Sequence, residues 1–333
     1  MTALAENITS YLAIYLEPFS AFLARDDVTD IYLNRPGELW IETLGGAIER
    51  FERPDLTEAL VWRLARQIAS ITHQGISREH PLLAATLPTG ERIQIVAPPA
   101  TRGPLALAIR KQCSADLSLD DFDAAGLFSS TVGGAANDAA GDRLKGFYRE
   151  GNWSAFLKTA VRARKTIVVS GGTSTGKTTF LNALIREIAP HERLVAIEDT
   201  PELVLRHENA FGLLAVRGSL GEAQVSAEDL LIATLRMRPD RIIVGEVRGA
   251  EAFTFLRAVN VGHPGSLTTI HADTPEKAVE QLALLVLQGG SGLRRQDIVG
   301  LVEGAVDIFV QLERRDGLRR VSQIRWNDLH SAT

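Results

Sequence analysis

Gly171-Gly172-Thr173-Ser174-Thr175-Gly176-Lys177-Thr178-Thr179 is the stretch whose reading decides the fold. Gly171, four residues, then Gly176-Lys177-Thr178 satisfy the phosphate-loop pattern G-x-x-x-x-G-K-[ST] without a mismatch. Its flanks agree. Thr166 to Ser170 (TIVVS) is a short β-branched run of the kind that forms a buried parallel strand. Phe180 to Ile188 (FLNALIREI) has helical spacing. Strand, glycine loop and helix bring backbone N–H groups and a helix N-terminus onto anionic oxygens. In such a loop Lys177 gives a point charge to the β- and γ-phosphates, and the Thr178 hydroxyl stands where Mg²⁺ binds. The bland alternative is a chance glycine turn. The pattern in its context implies a nucleoside triphosphate site.

Around that stretch the chain is ordinary for a globular protein. It has 333 residues, 45% hydrophobic and 23% charged, which is length for two domains. No apolar run approaches the ~18 residues of a membrane span. The N-terminus, MTALAENITSYLAIYLEPF, lacks a basic segment and reads as an amphipathic helix rather than a signal peptide. Cys113 is the single cysteine, so there is no disulfide framework and no cysteine zinc site; it fits buried packing and a reducing compartment. Net charge is −5 with no bulk basic field, so no stable nucleic-acid binding is expected. Local basic clusters, Arg294-Arg295 and ERRDGLRR (Glu313 to Arg320), read as solvated faces, with peripheral contact to anionic lipid or an acidic partner as the lesser reading.

Patterning divides the chain. Residues 1–113 read as an α+β domain: a helix over Asn7 to Leu23, strands at Val28 to Leu33, Glu38 to Ile41 and near Ile48 to Phe51, a helix over Thr57 to Ile71, then strands at Leu82 to Leu87, Arg92 to Ala97 and Leu105 to Ile109. Residues 114–151 are acidic and rich in Ala, Gly, Ser and Asp, a connector whose middle, Ser129 to Arg143, has little to bury. A short helix there, Leu117 to Ala125, carries a capping-box pattern of Ser118 with Asp121. Residues 152–333 alternate β and α. Strands are expected at Ile167–Ser170, Leu194–Ile197, Leu213–Val216, Arg241–Val244, Ser266–Ile270 and Ala305–Leu312. Helices are expected at Lys177–Ile188, Ala227–Met237, Ala250–Val259, Pro275–Leu287 and Arg294–Glu303. That alternation implies a parallel sheet covered on both faces, an α/β domain.

Hydrolysis needs more than a phosphate loop: a metal, an oriented water and positive charge at the transition state. In open α/β sheets the strand C-termini face the ligand crevice. LVAIEDTPEL (Leu194 to Leu203) ends a strand at Glu198 and Asp199, and Glu202 follows. Glu198 can polarise a water directly or through Mg²⁺; the alternative is that Glu198 or Asp199 caps the next segment. RIIVGEV (Arg241 to Val247) has the form of a Walker B strand ending in Gly245-Glu246, and Glu246 can hold Mg²⁺ through water, or else pair with Arg248 or another arginine. SLTTIHAD (Ser266 to Asp273) ends at His271, placed to sense a γ-phosphate or else structural; His263 in GHPG is a weaker candidate.

These motifs, in this order, resemble the secretion ATPase superfamily, whose nucleotide motifs are Walker A, an acidic box, Walker B and a His box. Within it the chain most resembles the traffic ATPases of type IV secretion and conjugation. Asn34-Arg35-Pro36-Gly37-Glu38 with Trp40, Gly90-Glu91-Arg92, Pro98-Pro99 and Ile109-Arg110-Lys111 resemble that family's N-terminal domain. The absence of CxxC pairs sets the chain apart from the type II secretion and pilus-extension branch; the tight-adherence pilus ATPases remain close. The resemblance implies a RecA-like P-loop NTPase domain after a smaller α+β domain. It implies ATP and Mg²⁺ as ligands, with Gly171 through Thr179 on the phosphates, Thr178 and Glu246 at the metal, and Glu198, Glu246 and His271 as catalytic groups. It also implies a homohexamer whose nucleotide lies between the two domains, so that Arg92 and Arg110 reach phosphate or ribose; otherwise they are solvated strand arginines. Arg217, Arg236, Arg238 and Arg248 are the competing arginines of the second domain. The activity so implied is ATP hydrolysis that energises pilus assembly or export. The implied location is the cytoplasmic face of an inner membrane, beside membrane components of the secretion system. A tight-adherence pilus ATPase, a RecA-like DNA motor and a nucleotide-gated adaptor that does not hydrolyse are the rivals.

Overall fold

The computed structural model describes residues 2–112, 118–124, 126–129, 131, 139–216 and 221–327. Cys113, Arg217 and most of the Ser129 to Arg143 connector lie outside the described residues. Helix α1 (Thr2–Leu23) precedes β1 (Val28–Leu33), β2 (Gly37–Thr43) and β3 (Ile48–Arg53). Helix α2 (Glu58–Ile71) precedes β4 (Leu82–Thr86), β5 (Arg92–Val96) and β6 (Ala106–Arg110). Among the described residues these strands form one antiparallel sheet in the order β3-β2-β1-β6-β5-β4. Strand alternation sends Ile31, Leu33, Leu39, Ile41, Ile93, Ile95, Leu107 and Ile109 to one face, where Val61, Leu64, Ala65 and Ile68 of α2 cover them. Thr57 caps α2, accepting from the N–H of Leu60. The opposite face, with Tyr32, Trp40, Ala106 and Ala108, joins the core of the second domain.

Two short helices follow: α3 (Leu119–Ala124) and α4 (Ala139–Arg149). The capping box expected at Ser118 is present, with Ser118 N–H donating to Asp121 and Asp121 N–H to Ser118 Oγ. Helix α4 falls within the expected connector, yet its Leu144 is fully buried beside Phe156 and Trp326.

The second domain runs α5 (Trp153–Arg162), β7 (Ile167–Gly171), α6 (Lys177–Ile185), β8 (Leu194–Glu198), β9 (Ala210–Leu214), α7 (Ala227–Thr234), β10 (Arg241–Val244), α8 (Glu251–Val261), β11 (Leu267–Ile270), α9 (Pro275–Gln288), α10 (Arg295–Ala305), β12 (Ile308–Arg315) and β13 (Leu318–Trp326). Its sheet has the order β13-β12-β7-β11-β10-β8-β9 and is parallel throughout except for the β12–β13 hairpin. Both faces are buried. Ile167, Val169, Leu194, Ala196 and Ile243 pack on one side, and Val168, Val195, Ile197, Ile242 and Val244 on the other. Unbroken apolar strands are what a parallel sheet covered on two faces requires. The third strand differs from expectation by a few residues. β9 spans Ala210–Leu214 rather than Leu213–Val216, because its register pairs Leu194 with Ala210 and Glu198 with Leu214.

The domains are locked by a buried arginine. Arg193, at the foot of β8, stacks 4.1 Å from the Tyr32 ring and 5.2 Å from Phe211. It donates to Asn34 Oδ1 at 2.7 Å and to the Met237 carbonyl at 3.0 Å. Burial pushes its guanidinium down to about 10. Tyr32 donates to Glu42, which also accepts from Arg238 at 2.7 Å.

Candidate nucleotide site

The loop after β7 takes the shape its sequence demands. Ser174 has φ 63° and Gly176 φ 92°, and α6 then starts at Lys177 with no side chain capping it. The first N–H groups of α6 therefore converge unpaired by any cap on the space above the loop, where they suit an anion. Thr175 Oγ1 donates to the Gly172 carbonyl at 2.9 Å and braces the turn. Lys177 is buried, and its Nζ donates to the carbonyls of Gly171 and Gly172 at 3.0 and 3.2 Å. Burial lowers its pKa; Glu246 opposes that shift and Arg248 adds to it. A desolvated ammonium folded over its own loop has the charge and the reach to meet a β- or γ-phosphate. Thr173, Ser174 and Thr179 are exposed at the loop's rim.

Three expected groups share one cavity. A space of about 430 Å³ is lined by Thr178, Glu198, Asp199, Thr200, Glu202, Gly245, Glu246 and Arg248. Parallel strands explain the convergence: Glu198 is the last residue of β8, and Glu246 and His271 lie just past β10 and β11. His271 ties the loop to the Walker B position. Its Nδ1 lies 3.5 Å from Lys177 Nζ and its Nε2 3.0 Å from Glu246 Oε1. Glu246 Oε2 also pairs with Arg248, whose Nη1 lies 3.6 Å from Asp199. The alternative of a Glu246–Arg248 pair is thus present, and it sits inside the same cavity. Thr178 with Glu246 gives a hydroxyl and a carboxylate across that cavity, hard oxygen donors of the kind Mg²⁺ takes together with phosphate oxygens. The donor set fits that ion.

Glu198 is buried, hydrogen-bonded through one oxygen and ion-paired through the other. Oε1 accepts the N–H groups of Glu202 and Leu203 at 3.0 and 2.8 Å, so it caps the following segment while still lining the cavity. Oε2 pairs with Arg102 of the first domain, a residue the sequence reading passed over. No strand, turn or motif signal singles Arg102 out; only tertiary docking brings it there.

Arg92 and Arg110 are placed elsewhere. They face each other across β5 and β6 and line a depression of about 640 Å³ with Thr72, Gln74, Leu235 and Arg236. Within one chain they do not join the residues around Thr178. Of the competing arginines among the described residues, only Arg248 lines the cavity; Arg236 lies with Arg92 and Arg110, and Arg238 pairs with Glu42. His263 Nδ1 meets the Pro239 carbonyl at 3.0 Å, a structural bond in its turn.

Known proteins share this chain's sequence and fold. Residues 144–314 match the family described as Type II/IV secretion system protein. The chain is 38% identical to the type IV secretion system protein VirB11 of Bartonella quintana, over 97% of this chain and 95% of that protein. It is 42% identical to the type IV secretion system protein PtlH of Bordetella pertussis, over 94% of each. Its fold is similar to the VirB11 ATPase from the Brucella suis type IV secretion system, solved in complex with sulphate. The TM-score is 0.88 at 36% identity, and the likeness covers 95% of this chain and 97% of that one.

Proposed function

The chain belongs to the type II/IV secretion system protein family, among its VirB11-type members, and from that premise we propose that it hydrolyses MgATP at its phosphate loop to energise type IV secretion. What supports hydrolysis, beyond binding, is the single cavity that joins Thr178, Glu198 and Glu246 beside a lysine already linked to Glu246 through His271. In this reading the 171–179 loop and the α6 N-terminus hold the phosphates, and Lys177 turns from its loop carbonyls to the terminal phosphate. Thr178 binds Mg²⁺, Glu246 supports it through water, and Glu198 orients the attacking water. His271, 3.5 Å from Lys177 Nζ and 3.0 Å from Glu246 Oε1, reads out whether the terminal phosphate is present. These groups act by position and charge, which is the main demand of phosphoryl transfer.

The proposed division is residues 1–113, a connector over 114–151 and residues 152–333, with buried Leu144 packing the connector's α4 against the second domain. The active form is a homohexamer. Arg92 and Arg110, which lie apart from the loop in one chain, act in this reading across a boundary between copies. The ring works at the cytoplasmic face of the inner membrane with the secretion system's membrane components as partners; no described helix is long and apolar enough to cross a membrane. The three relatives above, all of type IV secretion systems, favour export over a tight-adherence or DNA-motor reading.

Single-turnover phosphate release from MgATP, with and without added DNA across a salt series, tests the proposal. Release that is independent of DNA is expected. Tight nucleotide binding with no release would leave only the adaptor reading, and DNA-dependent release would restore the motor.

A further inference from the structure

Arg102 lies in the turn between β5 and β6 of the first domain, yet its side chain ends at Glu198. The backbone brings it there. Thr101 bridges to Leu213, Arg102 N–H donates to the Gly212 carbonyl at 2.9 Å, and Leu214 N–H donates to the Ala100 carbonyl at 2.9 Å. Residues 100–102 thus lie along the outer edge of β9 as a short added strand. The side chain then crosses the face of Gly212, where a Cβ would stand 2.4 Å from its Cδ and Nε, so only glycine leaves the passage open. Beyond that point Nη1 donates to the Leu203 carbonyl at 2.7 Å, and Nη2 pairs with Glu198 Oε2.

The carboxylate is therefore held from two directions. The second domain's own backbone holds Oε1 through Glu202 and Leu203, and the first domain holds Oε2 through one guanidinium. Both side chains are largely withdrawn from solvent, and burial lowers the Arg102 pKa. A buried carboxylate that loses its cation is costly, so the pair fixes the carboxylate's orientation while the turn stays docked. Arg102 is not among the groups around Lys177, so its grip does not bear on phosphate binding.

We propose that Arg102 is a positioning residue for ATP hydrolysis: it aims the Glu198 carboxylate, and it makes that aim depend on the docking of the first domain along β9. The inference rests on the reading of Glu198 as the group that orients water. A first domain that lifts from β9 loosens Glu198 without releasing nucleotide, which separates hydrolysis from binding.

The test uses the full chain with Arg102→Ala, Arg102→Lys, Gly212→Ala, Glu198→Gln and the Arg102→Ala/Glu198→Gln pair. Single-turnover phosphate release is read beside affinity for a fluorescent non-hydrolysable ATP analogue and thermal melting. Arg102→Ala and Gly212→Ala are each expected to slow release by roughly tenfold or more with analogue affinity within about twofold of the parent. Arg102→Lys recovers part of the rate, and the double variant is no slower than Glu198→Gln alone. Gly212→Ala obstructs the arginine without removing a charge, so it carries the test if Arg102→Ala does not fold. Parent rates in Arg102→Ala and Gly212→Ala while Glu198→Gln is slow overturn this inference alone. So does a loss of rate matched by an equal loss of affinity. A parent rate in Glu198→Gln overturns the reading of Glu198 and this inference with it.

Discussion

The second domain delivers its polar groups from one edge of a parallel sheet: Gly171 ends β7, Glu198 ends β8, and Glu246 and His271 follow β10 and β11. The first domain's antiparallel sheet does nothing of the kind. Its strand-end arginines, Arg92 and Arg110, face a separate depression, and the group that reaches Glu198 comes from a turn laid along β9. The topologies explain the difference. Parallel strands all finish on the same edge, so a phosphate loop on one strand fixes where the polar ends of its neighbours must lie. Antiparallel strands finish on alternate edges, and which edge meets the ligand is settled only by how the domain docks.

Four variants sharpen or break that contrast. Lys177→Ala is expected to have the largest effect, a loss of turnover of roughly a thousandfold, since one preorganised charge on the transferring group is worth that much. Melting should change little, because Lys177 Nζ meets two loop carbonyls and the His271 ring rather than the apolar core. Turnover near the parent's, measured by phosphate release, would move the phosphate site away from β7.

Arg193→Ala probes the docking itself. It removes a buried stack on Tyr32 and leaves the Asn34 and Met237 acceptors without their donor. A stability loss of about 3 kcal/mol in urea unfolding is expected. An unchanged midpoint would mean that the domains are held by other contacts. Glu198→Gln tests the parallel edge at its catalytic end. Turnover should fall by about a hundredfold while nucleotide affinity persists; a matching loss of affinity would make Glu198 a metal ligand or a structural cap.

The smallest effect concerns His263. Burial lowers its pKa, and nearby Arg238 adds to the shift, while the Pro239 and Asp240 contacts oppose it. Its folded value therefore lies below the unfolded one. The contribution is fully present above the unfolded pKa of about 6.5 and is lost as pH falls through the folded value. Between about pH 7.5 and 5 the parent should lose more stability than His263→Gln, read from urea midpoints at each pH. Equal losses would show that His263 is not the group responsible.

Much of this molecule was legible in its sequence because the signals were local. The phosphate loop, the capping box at Ser118 and the apolar strands of the second sheet each follow from residues within a few positions of one another. The strand β13 escaped for a physical reason. It is an edge strand whose residues from Leu318 to Gln323 stay exposed, so it shows no apolar alternation, and ERRDGLRR reads as a charged surface. One signal was there: Asp316-Gly317, with φ of 54° and 79°, is the two-residue turn that joins hairpin strands. Helix α5 was also within reach, with Asn152 capping it and Phe156, Leu157, Ala160 and Val161 buried on one side. Arg102 was not. Its role depends on Gly212 and Glu198, about a hundred residues further on, and on a bridge between two sheets that no local pattern encodes.

The most direct measurement is cryo-microscopy of the full chain with Mg²⁺ and a non-hydrolysable ATP analogue. The terminal phosphate is expected at Lys177, the metal against Thr178, and Glu198 facing that phosphate across the cavity. Nucleotide bound in the depression between Arg92, Arg110 and Arg236 of one chain, with the phosphate loop empty, would contradict it.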